Sequence, residues 1–87
     1  MCTYICNTTS VTGAGKGAEG WFRVTEATVA FDHPTFASAD HALLFDVTRS
    51  EGGLSSRVAL ELDIESGRAL LLTLGETIRA AELSGVV

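Results

Sequence analysis

The sequence predicts an α+β fold: a four-stranded, mostly antiparallel sheet with one C-terminal helix packed on one face, in the order β-β-β-β-α. Three observations carry this expectation. Runs rich in aromatic and β-branched residues are separated by Gly-, Pro- and Asp-containing breaks. The apolar period then changes from two to three and four over the last quarter of the chain. Finally, 87 residues with 46% hydrophobic and 20% charged residues make one domain, spanning residues 1–87, with a thin core.

The first strand is expected over residues 2–8, where Thr, Tyr and Ile favour a pleated surface. Gly13, Gly15, Gly17 and Gly20 follow and read as a flexible connection, with Lys16 in a loop that can act as a lid. A second strand covers residues 21–32. Its apolar parity switches from Phe22 and Val24 to Ala27, Val29 and Phe31, which predicts a bulge or bend near Thr25 and Glu26. Residues 33–40 form a loop containing Pro34, and residues 41–48 a third strand. A Gly-Gly turn over residues 50–55 leads to a fourth strand at residues 56–62.

Leu70, Leu71, Leu74, Ile78 and Ala81 then mark one face of a helix. Asp63 or Ser66 is suited to cap its start, and Gly85 follows its end. Gly67 and Gly75 each weaken it, and close approach to the sheet or to a partner helix is the expected reason for Gly75. One helix covers one sheet face only. Leu43, Phe45 and Val47, with Val58, Leu60 and Leu62, belong under the helix. Ala42, Leu44, Asp46, Thr28, Ala30 and Asp32 are left on the open face, a surface suited to a homodimer interface or a ligand floor.

Charge and cysteines narrow the partners. Eleven acidic against six basic residues give a net charge of −5, and the bases are dispersed. Neither nucleic acid nor an anionic membrane suits such a surface. The N-terminus shows no basic-then-apolar leader, so the chain reads as cytoplasmic. Cys2 and Cys6 on one extended strand are about 13 Å apart, beyond the reach of a disulfide.

Gly15-Lys-Gly-Ala-Glu-Gly20 matches the dinucleotide fingerprint G-x-G-x-x-G, but a strand rather than a helix follows it. No helix N-terminus is available there for a pyrophosphate. The histidines are more informative. A hairpin pairing Phe31 with Leu43 and Val29 with Phe45 sets His33 opposite His41 at its mouth. Asp32 and Asp40 flank them. Imidazoles at that spacing can exchange protons, and His33, His41 and Asp32 are also donors suited to a divalent metal. A third ligand at diagnostic spacing is absent, and Cys2 supplies one only if the first strand lies beside this hairpin. Ordinary loop-edge chemistry explains the same Asp and His residues without any catalytic role.

Asp46, Arg57 and Glu61 form a second cluster, on the open face. A surface ion pair accounts for it; in a pocket, Arg57 would hold an anionic group and an acid would serve as base. Trp21 is a strand aromatic of the kind most often found in a core or an interface, and is also a candidate for contact with a substrate.

The opening Met1-Cys2-Thr3-Tyr4, then Gly20-Trp21-Phe22, Phe31-Asp32-His33-Pro34, Asp40-His41, Asp46 and the segment from Arg57 to Asp63 resemble a family of short actinobacterial proteins of unknown function. The resemblance spans nearly the whole chain. It implies an accessory protein of bacterial metabolism, in some members of natural-product pathways, and it includes both histidines and their aspartates.

Two functional expectations follow. One is a small enzyme using acid–base chemistry for isomerisation, cyclisation or dehydration, with His33, His41, Asp32 and Asp46 catalytic and Arg57, Trp21 and Glu61 binding substrate. The other is a non-catalytic dimeric binding module, or a His/Asp divalent-metal binder.

Overall fold

The computed structural model describes residues 5–51 and 56–87. It contains β1 (Ile5–Gly17), β2 (Gly20–Asp32), β3 (Ala42–Thr48), β4 (Arg57–Leu62) and α1 (Ile64–Leu83). The four strands form one antiparallel sheet in the order β1-β2-β3-β4, followed by the single helix. The expected α+β architecture is therefore present. The start of the expected first strand and most of the Gly-Gly turn lie outside the described residues.

The glycine segment is a strand, not a loop or a lid. Gly13, Gly15, Gly17 and Lys16 all pair across to β2, and Ala18 and Glu19 alone make the turn. Gly20 supplies the positive φ of 113° that closes it. At position 15 a Cβ would press on the Val24 side chain and touch Phe22 and Val58. Contact with Val58 of β4 shows that the β1–β2 hairpin folds over the sheet. The bend falls where the parity of β2 predicted it: pairing jumps from Ser10–Glu26 to Gly13–Val24, so the extra residue lies on β1 opposite Thr25. Val24 is buried there.

The β2–β3 register is the expected one, with Phe31 opposite Leu43 and Val29 opposite Phe45. These side chains share a face with α1, whose N-cap is Asp63, its carboxylate accepting from the Ser66 amide at 2.7 Å. The close approach occurs at Gly67, which is buried against Leu43, and not at Gly75, where space is open. Glycine at 67 lets the helix backbone reach β3. Beyond that point a cleft of about 400 Å³ opens between Val29, Leu43 and Phe45 below and Ile64, Leu70, Leu71 and Leu74 above. The core is thin as expected: Val24 and Ala42 are the buried apolar residues among those described. Among the described residues no helix is long and apolar enough to cross a membrane.

Candidate functional site

Residues 33–41 connect β2 to β3, and both histidines stand at the base of this connection. Their ring centroids are 4.5 Å apart at 33°, as the register requires. His41 also stacks on Phe31 at 5.5 Å, which puts the pair on the α1 side of the sheet. Nδ1 of His33 lies 3.0 Å from the Asp40 carbonyl oxygen. A carbonyl only accepts, so Nδ1 is the donor in this contact.

Asp32 and Asp40 bracket the loop at its two ends. Asp32 Oδ1 accepts from the backbone amide of His33 at 2.6 Å, which fixes the start of the loop. Asp40 contributes its backbone carbonyl to His33. Among the described residues no three His, Cys, Asp or Glu side chains gather in a group that could hold a metal ion.

From this base the chain crosses to the opposite face of the sheet. Glu61 of β4 pairs in register with Leu44, so its side chain belongs to the open face. There it accepts three successive backbone amides, from Thr35 at 2.6 Å, Phe36 at 2.7 Å and Ala37 at 2.8 Å. Those donors hold the Glu61 carboxyl below its ordinary pKa, the Thr35 amide contributing most. Glu61 thus anchors the loop and is not a base with a raised pKa. This clamp was not visible in the sequence. Its only trace is a short loop whose Pro34 donates nothing and whose next three amides need an acceptor.

Beside Glu61, the Arg57 Nε donates to Asp46 Oδ1 in a half-exposed ion pair that raises the guanidinium pKa through that hydrogen bond. The loop and β4 together enclose a cleft of about 590 Å³, lined by Thr35, Phe36, Ala37, Arg57, Ala59, Leu60 and Glu61. Phe36 is almost wholly exposed at its rim.

The predicted site residues therefore fall into three places. His33 and His41 meet on the α1 side. Asp46 pairs with Arg57 on the open side, and Arg57 and Glu61, four strand positions apart, line one cleft. Trp21 is exposed near the β1–β2 turn, opposite Lys16. Twelve strand positions at about 3.3 Å each put it far from His33. No curated protein and no solved structure matches the chain. The model of DUF6295, a family of unknown function, matches residues 1–86, and the chain belongs to that family.

Proposed function

We propose that the protein is a non-catalytic binding module that seats a small organic metabolite in the cleft between the 33–41 loop and β4. The observation that supports this most is the placement of Arg57 in a cleft whose opposite wall is held rigid by Glu61. The cleft volume is in the range of small-molecule sites. Asp46 engages only Nε, which leaves the other N–H donors of the guanidinium for a ligand.

Charge selects the ligand class. Arg57, Asp46 and Glu61 sum to one negative charge at this spot, in a chain of net charge −5. A phosphate or dicarboxylate is disfavoured there. A neutral acceptor such as a ketone, lactone or amide suits Arg57, while Phe36, Ala59 and Leu60 suit an apolar body. An accessory role in bacterial natural-product metabolism is compatible with such ligands.

Titration of the protein with neutral aryl ketones, lactones and amides, followed by amide NMR, tests this. A binder should shift the signals of Phe36 and Ala37, and Arg57→Gln should weaken binding by about 10- to 100-fold. Binding unchanged in the variant, or no response from any compound class, defeats the reading.

A second reading retains acid–base chemistry at His33 and His41. It is favoured by their ring contact, centroids 4.5 Å apart. In that case His33→Ala and His41→Ala should each abolish turnover in the folded protein, whereas Arg57→Gln should spare the chemical step.

A further inference from the structure

We infer that two copies of the chain pair through α1, antiparallel across a two-fold axis near Glu76. This does not rest on the cleft ligand, since α1 leaves the sheet on the other face. The single chain exposes 6569 Å², about a third more than the roughly 4,900 Å² of a compact protein of its mass. Its radius of gyration, 14.6 Å, likewise exceeds the roughly 12 Å of a compact chain this long. Part of the exposed surface is an apolar stripe along α1, where Leu71 is 68% exposed, Leu74 56% and Ile78 51%.

Spacing and charge identify a second copy as the occupant. Leu71, Leu74, Ile78 and Ala81 recur at intervals of three and four, a seam of the kind that packs on another helix. Run antiparallel, one register sets Leu71 against Ala81 of the other copy and Leu74 against Ile78, so a large side chain meets a small one at each end of the seam and two of equal size meet at its centre. On one flank of this seam, where facing positions are offset from those of the seam itself, Arg68 then lies across from Glu82 twice, once on each side of the axis, and the two Gly75 residues lie near one another. Gly75 has open space where a Cβ would stand, so it weakens the helix without any return inside one chain. Closest approach of two backbones at the axis supplies the reason. The C-terminal turns of each helix then cover the apolar cleft beside Leu43 and Phe45 of the other. Each copy offers a helix and accepts one, which closes the assembly at two.

Sedimentation equilibrium of the whole chain and its charge variants tests the register. Wild type should be a dimer. Arg68→Glu and Glu82→Arg should each raise the dimer dissociation constant at least tenfold, because like charges then meet twice. Both positions are exposed, and circular dichroism reports retained helix. The double variant should restore the dimer, and an equimolar mixture of the two single variants should form heterodimers. Gly75→Cys, in a chain with Cys2→Ser and Cys6→Ser, should oxidise to a covalent dimer. A monomeric wild type, single variants that dimerise undiminished, or no rescue on mixing would overturn the proposal. So would a dimer that Leu44→Asp on the opposite face abolishes while Arg68→Glu leaves it intact.

Discussion

Gly67 of α1 stands so close to Leu43 of β3 that a methyl group on Gly67 would overlap the Leu43 Cδ1 methyl. This contact seats the first turn of the helix on the sheet. It also separates two effects of opposite sign. An alanine at 67 gains about 1 kcal/mol of helix propensity over glycine. Against that, Leu43 must turn into the adjacent cleft, at a cost of about 0.5–1.5 kcal/mol.

Gly67→Ala should therefore change stability by less than about 1 kcal/mol, whereas Gly67→Leu should cost more than about 2 kcal/mol by pushing the helix off β3. Denaturant unfolding of Gly67→Ala, Leu43→Ala and the double variant closes a thermodynamic cycle. With the leucine truncated, alanine at 67 should become stabilising. A cycle with no coupling shows that the two residues do not press on one another.

The contrast between Gly67 and Gly75 shows what the sequence can and cannot convey. Both glycines interrupt the same apolar period, so both are recognisable as costly to a helix. Which one touches the sheet depends on where the helix axis leaves β3, and that angle has no local signature. The strands behave differently. The parity switch of β2 locates its bend, and the alternation of Phe31, Leu43, Val29 and Phe45 fixes the register that brings His33 to His41. In contrast, composition misleads at Gly13, Gly15 and Gly17, which pair across to β2 as strand residues; only at Gly15 does tight packing favour the small residue, since Gly13 has open space. The Glu61 clamp is long-range and made to backbone amides, so no residue type announces it.

Glu61 makes the loop sensitive to acid. Its folded-state pKa lies below the ordinary 4.5, so the folded protein binds this proton less readily than the unfolded chain does. The stabilisation is complete above the ordinary value and is lost as pH falls through the lower folded one. Glu61→Gln should flatten the acid side of the profile of Tm against pH. It should also speed hydrogen exchange at Thr35, Phe36 and Ala37 near neutrality, since one acceptor oxygen is replaced by a donor. Exchange that stays slow at these amides in the variant would mean that something else holds the loop.

The Arg57–Asp46 pair is half exposed, and pairs of that kind contribute about 0–1 kcal/mol. Asp46→Asn should accordingly cost less than about 1 kcal/mol, and the loss should shrink in high salt. Binding should move the other way. Removing Asp46 leaves Arg57 beside Glu61 alone and cancels the local negative charge, so carboxylate analogues of a bound ketone should bind more tightly to the variant than to wild type. Calorimetry with matched ketone and carboxylate compounds reads this directly. Equal affinities for the carboxylate in both proteins would remove the argument that local charge selects a neutral ligand.

His33 offers the sharpest separation of the two functional readings. Its ring ties the base of the loop to the Asp40 carbonyl, so its loss should loosen the cleft wall even though the imidazole lies on the other side of the sheet. His33→Asn retains a side-chain donor that can reach the same carbonyl but provides no group that titrates near neutrality. As a loop fastener, asparagine should keep ligand affinity within about threefold of wild type, with His33→Ala several-fold weaker. If the imidazole instead acts as an acid–base group, asparagine should fail as completely as alanine in any turnover assay. Comparing both variants by binding and by turnover distinguishes a residue that positions the loop from one that moves a proton.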